Sequence, residues 1–166
     1  MILFVNACVR KNSRTLELAR PILAKFPQDE IEEVNLEKEE ILPLKRESLD
    51  FRSELVSKGN YSNEIFKYAK QFAKAEEIVI ATPFWDMSFP AILKIYFENV
   101  SVSGLTFYYN EQNEAVGLCK AKKITYVTTA GGKIYYNGGF EYVKGLCKNL
   151  FGIQKYEFVA KENLDV

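Results

Sequence analysis

Three short stretches of this chain hold residue types that could do chemistry, and none contains a histidine, because the 166 residues include none. Without histidine, Ser-His-Asp hydrolysis, Cys-His proteolysis and most transition-metal sites are excluded, and no metal is expected. A bound organic cofactor is then the natural carrier of any reaction. The first stretch is Ala7-Cys8-Val9-Arg10-Lys11-Asn12-Ser13-Arg14-Thr15, polar and basic, between an apolar run and a helical pattern. A loop that enters a helix in this way points backbone N–H groups and the positive end of the helix dipole at whatever sits there. Ser13 and Thr15 add hydroxyls, and Arg10 and Arg14 add guanidinium forks suited to phosphate. An ordinary capped helix with solvated arginines would have the same residues.

The second stretch is Ala81-Thr82-Pro83-Phe84-Trp85-Asp86-Met87-Ser88-Phe89-Pro90. It follows the apolar run Ile78-Val79-Ile80 and precedes a helical pattern from Ala91 to Val100. A strand thus turns into a helix through a stiff aromatic loop at its carboxyl end, where open α/β sheets bind ligands. Flat aromatics there suit a flat ligand, and they would serve equally as a lid on the core. The third stretch, Thr129-Ala130-Gly131-Gly132, also follows an apolar strand. Its glycines let backbone approach a ligand closely, or form a plain turn.

The elements that would position these loops alternate along the chain. The pattern predicts strands at Ile2–Asn6, Glu32–Leu36, Glu77–Thr82, Ile124–Thr129 and Ile153–Ala160. Helices are predicted after Ser13, with Pro21 kinking or breaking the first, over Asn63–Ala75 with Ser62 as cap, over the stretch after Pro90, and over Phe140–Leu150. Residues 104–110 and 115–118 flank a polar tip and read as a small hairpin insert. The charged, weakly periodic segment Lys45–Asn60 reads as a mobile excursion with some helix, in the place of a lid. Alternating strands and helices predict an α/β fold with a doubly wound parallel sheet.

Composition bounds the rest. The length suits a single domain over residues 1–166, and 48% hydrophobic residues exclude disorder. The 22 basic and 22 acidic residues balance, so no nucleic acid or anionic membrane is expected as partner. No apolar run reaches the ~20 residues of a membrane span. The start, Met1-Ile2-Leu3-Phe4-Val5-Asn6, reads as a first strand and not as a secretion signal. Three scattered cysteines, Cys8, Cys119 and Cys147, suggest no disulfide framework and a cytoplasmic protein.

Taken in order, four segments resemble the FMN-dependent quinone reductases and azoreductases of the flavodoxin-like superfamily. Arg10-Lys11-Asn12-Ser13-Arg14-Thr15 is similar to that family's FMN-phosphate loop, and Pro83-Phe84-Trp85-Asp86-Met87 to its proline-x-aromatic-Asn-Phe isoalloxazine loop. Gly104-Leu105-Thr106-Phe107-Tyr108-Tyr109 with Gly117-Leu118 is similar to its Gly-x-Thr-Phe-x-Tyr hairpin, and Thr128-Thr129-Ala130-Gly131-Gly132 to its Ser-x-Gly-Gly loop. The resemblance runs from Ile2 to about Phe158. It implies a five-stranded sheet in the flavodoxin-like order 2-1-3-4-5, in which the first and second loops converge.

It also implies FMN as cofactor and NADH or NADPH as co-substrate. Two electrons would pass by a ping-pong mechanism to quinone, azo or nitroaromatic acceptors, in a homodimer. Ser13, Arg14 and Thr15 would hold the FMN phosphate, with Arg10 nearby. Pro83, Phe84, Trp85, Asp86 and Met87 would line the isoalloxazine, and Thr129, Ala130, Gly131 and Gly132 would approach its pyrimidine end. Trp85, Phe107 and Tyr109, with Phe89, would form the substrate slot, no side chain being a certain catalytic residue. A flavodoxin-like electron carrier and a flavin-free regulatory relative are the alternatives.

The chain departs from the family at four places. Cys8 stands where many relatives have serine, Asp86 replaces an asparagine, and Lys133 follows the Gly-Gly pair where some relatives have histidine. An ionised Asp86 against the ring would disfavour an anionic reduced flavin. The resemblance implies a last helix that the six residues after the predicted fifth strand, Lys161-Glu162-Asn163-Leu164-Asp165-Val166, are too few to form, so either that helix is absent or the chain is a truncated product. Part of one sheet face is therefore expected to be exposed or covered by a second subunit.

Overall fold

The computed structural model describes residues 1–165, so Val166, with which the expected tail and domain end, lies outside the described residues. Its strands and helices are β1 (Ile2–Asn6), α1 (Arg14–Leu23), β2 (Ile31–Asn35), α2 (Arg46–Ser57), α3 (Lys67–Lys74), β3 (Glu77–Ala81), α4 (Ala91–Val100), β4 (Phe107–Tyr109), β5 (Ala115–Gly117), β6 (Lys123–Thr129), α5 (Gly138–Leu146) and β7 (Lys155–Lys161). Five strands form one parallel sheet in the order β2-β1-β3-β6-β7, and β4 and β5 pair as a separate antiparallel hairpin. Counting only the large sheet, this is the order 2-1-3-4-5 with a hairpin inserted before the fourth strand.

β1 and β3 carry apolar runs, Ile2–Val5 and Ile78–Ala81, because both of their faces are covered. Leu3, Val5, Ile78, Ile80, Ile124 and Tyr126 point to one core with Phe72, Leu93, Tyr96, Phe97, Val143 and Phe151. Phe4, Val79, Ala81 and Val127 point to the other side, where α1 packs through Ala19, Leu16 and Ile22. Pro21 lies inside α1, which runs on to Leu23. It sits in the last turn, where Ala24 N–H still donates to Arg20 O, so only one ladder bond is lost.

Three segments differ from their expected form. Residues 46–57, expected as a mobile excursion with some helix, are helical throughout, although none of the side chains is fully buried. Leu55 and Val56 pack it on Phe66 and Val102, and Arg52 donates to Glu98 O at 2.9 Å. The next helix enters through a 3₁₀ turn at Glu64–Phe66, capped by Asn63 Oδ1 accepting from Ile65 N–H, so Asn63 and not Ser62 is the cap. The last helix starts two residues earlier than expected, capped by Asn137, and ends in a wider π-type turn at Cys147–Phe151 closed by the left-handed Gly152.

β7 is exposed along almost its whole length. On the α1 side it presents Lys155, Glu157, Val159 and Lys161, of which only Val159 is apolar. Lys123 Nζ lies 3.5 Å from Glu77 and 3.6 Å from Glu157, a charge ladder across three strands. The exposed part of this face is thus mostly polar.

Candidate functional site

Parallel pairing puts the carboxyl ends of β1, β3 and β6 side by side, so the three loops singled out above meet at one end of the sheet. Ala7 N–H donates to Ala81 O at 2.9 Å, and Phe84 N–H to Thr129 O at 3.1 Å, which extends the ladder past the strand ends. Thr15 Oγ1 and Thr129 Oγ1 are buried 2.6 Å apart and tie the first turn of α1 to the end of β6.

A cavity of about 170 Å³ opens between the loops. Cys8, Val9, Arg10, Asn12, Ser13, Arg14 and Thr15 line it from the first loop, Pro83 and Phe84 from the second, Thr129 and Gly131 from the third, and Asp165 from the chain's last turn. Ser13 caps α1, its Oγ accepting from Leu16 N–H at 3.2 Å. The N–H groups of Ser13, Arg14 and Thr15 have no protein acceptor among the described residues. These are the first donors of a helix, without a protein acceptor among the described residues and beside two hydroxyls and a guanidinium, an arrangement that suits an anion.

One contact within it has no signal in the sequence. After β7 the chain folds back, with Asn163, Leu164 and Asp165 N–H donating to Gly132, Ala130 and Gly131 carbonyls. Arg14 Nη1 then donates to Asp165 Oδ1 at 2.7 Å and to Leu164 O at 2.9 Å. A Cβ at Gly131 would meet Asp165 Oδ2 at 1.9 Å, so glycine is what admits this carboxylate. An internal anion therefore shares the cradle with any ligand.

Trp85, Asp86, Met87, Ala130 and Gly132 do not line the cavity; they stand beside it. Trp85 and Ser88 exchange both backbone hydrogen bonds, at 3.1 and 2.7 Å, around Asp86 (φ +50°) and Met87 (φ +63°). This is a type I′ turn built without glycine. Met87 O accepts from Gly138 N–H at 2.8 Å, which holds the strained turn against the start of α5. Left-handed backbone costs a side-chain-bearing residue ~1–2 kcal/mol. Met87→Gly is therefore expected to raise Tm by about 2–4 °C, on the scale of ~1 kcal/mol for a domain of this size. A lowered Tm in a thermal melt would mean that the half-exposed Met87 side chain holds the turn.

Phe107 and Tyr109 are not brought to this end of the sheet. Their hairpin is anchored at the amino ends of the strands, where Gly117 abuts Phe151 and Gly152, and Lys120 N–H donates to Ala73 O. Phe107 is buried and Tyr109 exposed, edge to face with centroids 5.5 Å apart. Phe89 packs into the core against Phe97 and Tyr142, so it is not free to line a slot.

The cysteines offer no nucleophile. Burial pushes the Cys8 thiol up, outweighing a hydrogen bond with Ser13, and pushes Cys119 and Cys147 up to about 12. All three are free and stay protonated at neutral pH. Among the described residues no group of three or more acidic or sulfur ligands could hold a metal, and no helix is long and apolar enough to cross a membrane.

A family model described as flavodoxin-like fold matches residues 1–165. The chain is 36% identical over 177 aligned positions to a Coprothermobacter proteolyticus protein named FMN-dependent NADH:quinone oxidoreductase, covering 99% of this chain and 87% of the relative. It is 37% identical, with the same coverage, to a Clostridium acetobutylicum protein named FMN-dependent NADH:quinone oxidoreductase 2. Among solved structures, an azoreductase from Bacillus anthracis superposes with a TM-score of 0.82 at 25% identity, over 99% of this chain and 87% of that one.

Proposed function

We propose, from the premise that this chain belongs to the family of the flavodoxin-like fold, that it is an FMN-dependent oxidoreductase passing electrons from NADH or NADPH to quinone or azo acceptors. One observation carries the reading: the unpaired N–H groups of Ser13, Arg14 and Thr15 face a cavity that also holds two hydroxyls, a guanidinium and Gly131. Those groups fit the phosphate of FMN.

At about 170 Å³ the cavity is smaller than the ~300–1,000 Å³ of a whole-ligand pocket, so it suits the phosphate end alone. The flavin ring would rest outside it, against Phe84 and the Trp85–Ser88 turn on one side and Ala130–Gly132 on the other. When bound, FMN supplies the hydride-accepting ring that a chain without histidine and with only protonated thiols lacks. The chain's own work is to bind, orient and shield. Arg14 and the first turn of α1 fix the phosphate, and Pro83 and Phe84 form an apolar wall that excludes water. Asp86, exposed on the turn, sets a negative charge on the rim. Of the nearby carboxylates, Asp165 is paired with Arg14 at the phosphate end and Asp86 is exposed on the rim, so protons are left to water, and the two substrates would use one slot in turn.

The hairpin bearing Phe107 and Tyr109 is anchored at the far end of the same chain. For those residues to join Trp85 in a slot, a second copy must supply them, which favours a homodimer. The free cysteines suit a reducing cytoplasm.

Asp165 in the cradle is the observation that favours a flavin-free relative instead. The deciding experiment is a visible absorption scan after incubation with FMN and desalting, followed by NADH oxidation with menadione. A retained flavin spectrum and menadione-dependent oxidation are expected. A colourless protein would overturn the reading, and retained flavin without NADH oxidation would make the protein an electron carrier.

A further inference from the structure

A second, larger cavity lies away from the first and shares no lining residue with it. It holds about 540 Å³, within the ~300–1,000 Å³ of small-molecule sites. Its walls are the segment from Glu40 to Lys45, the first turn of α2, the entry to α3 and the end of α4. Ile41, Pro43, Leu44, Ile65 and the Tyr68 ring make it apolar, and Leu42 stands 74% exposed at its edge.

Its polar groups are unbalanced in one direction. The Asn99 amide spends its hydrogens on Leu42 O and Ile95 O, at 3.0 and 2.9 Å. The Tyr68 hydroxyl donates to Glu39, and Ser48 Oγ donates to Lys45 O. Three lining carboxylates, Glu40, Glu47 and Glu64, make no ion pair among the described residues. Against them stand one lining cation, Lys45, and the positive end of α2, which Glu47 in its first turn offsets. Lys67 outside the lining is held by Glu39 at 3.7 Å. The lining thus offers apolar surface on which three carboxylates outnumber the one cation, Lys45. Its complement is an apolar body carrying a cationic donor.

We propose that this cavity binds a small apolar amine in its protonated form, with the ring or chain against Ile41, Leu44, Ile65 and Tyr68 and the ammonium toward Glu47 and Glu64. An anion of the same shape would meet an excess of negative charge, and a neutral one would gain nothing from the carboxylates.

The test uses the full chain with excess FMN present, so that a flat aromatic finds the first cavity filled. Calorimetric titration compares 1-naphthylmethylamine with 1-naphthylacetate, which share a ring system and differ in charge. The amine is expected to bind at least about tenfold tighter. The double variant E47Q/E64Q, on exposed side chains, should weaken the amine about 3–10-fold and bring the two ligands together. Leu42→Lys places a cation at the edge and should weaken the amine similarly. Equal binding of both ligands would overturn the proposal. So would amine binding untouched by both variants, which would locate it elsewhere, over the flavin for instance. Absence of binding would do the same, and sedimentation would show whether a second copy of the chain seals the cavity.

Discussion

Arg14→Ala is expected to weaken FMN binding about 10–100-fold, the worth of a charge-assisted hydrogen-bond pair to a phosphate. Of the two arginines that line the cavity, Arg14 is the one oriented by the protein among the described residues, its Nη1 donating to Asp165 Oδ1 and Leu164 O. The same contact gives the opposite expectation for Asp165. Its carboxylate competes for Arg14 and repels phosphate, so Asp165→Asn should tighten FMN about 2–5-fold, the modest scale of an exposed pair. Arg14→Lys keeps the charge and loses the fork, and should fall between wild type and alanine. The measurement is quenching of flavin fluorescence, with riboflavin as the control ligand. Riboflavin lacks the phosphate, so neither substitution should move its affinity by more than about twofold. Equal losses for FMN and riboflavin in Arg14→Ala would show that the residue shapes the cavity and does not read the phosphate. An Asp165→Asn variant with weaker FMN binding would show that the carboxylate orients Arg14 and does not compete with the ligand.

That carboxylate marks where the sequence stops being readable. The centre of the parallel sheet was legible because Ile2-Leu3-Phe4-Val5 and Ile78-Val79-Ile80-Ala81 are buried on both faces, and such strands are apolar throughout. The Ser13 cap was legible because a short-range hydrogen bond has a short-range sequence signal. Residues 46–57 were misread because that helix is held mainly by Leu55 and Val56 on a minor cluster, which leaves little apolar stripe to see. Its start carries half a capping box, Lys45 N–H donating to Ser48 Oγ, with no acceptor side chain at the cap itself. The Arg14–Asp165 pair joins residues 151 positions apart, and only the return of the chain after β7 brings them together. The backbone strain at Asp86 and Met87 was also hidden, since neither residue type announces a left-handed turn as glycine would. The three loops could thus be placed at one end of the sheet from sequence, while the charge balance inside the cavity needed coordinates.

Gly117→Ala should destabilise this chain by about 3 kcal/mol, the upper end of ordinary overpacking. A Cβ there would lie 2.1 Å from the carbonyl carbon of Phe151, 2.2 Å from Gly152 N and 2.3 Å from Phe151 O. All three are backbone atoms of the turn that closes α5, and that turn is fixed by Gly152 at φ +77° and by Ile153 N–H donating to Cys147 O. The hairpin must therefore move as a body or the turn must open, and thermal melts should show a Tm lower by about 6–12 °C. Gly131→Ala is the instructive comparison. Its Cβ would come even closer to a neighbour, 1.9 Å from Asp165 Oδ2, but that atom ends an exposed side chain that can swing away. The shorter contact should cost less than about 1 kcal/mol, and Gly132→Ala, with no atom within 4 Å, should be neutral within about 0.5 kcal/mol. Similar Tm losses at positions 117 and 131 would show that the turn before β7 yields as readily as a surface carboxylate. A large loss at 117 alone would fix the hairpin as rigidly seated on the sheet's amino end. It would then reach a flavin cavity only in another copy of the chain, and Gly117→Ala should lower quinone turnover more than it lowers FMN affinity.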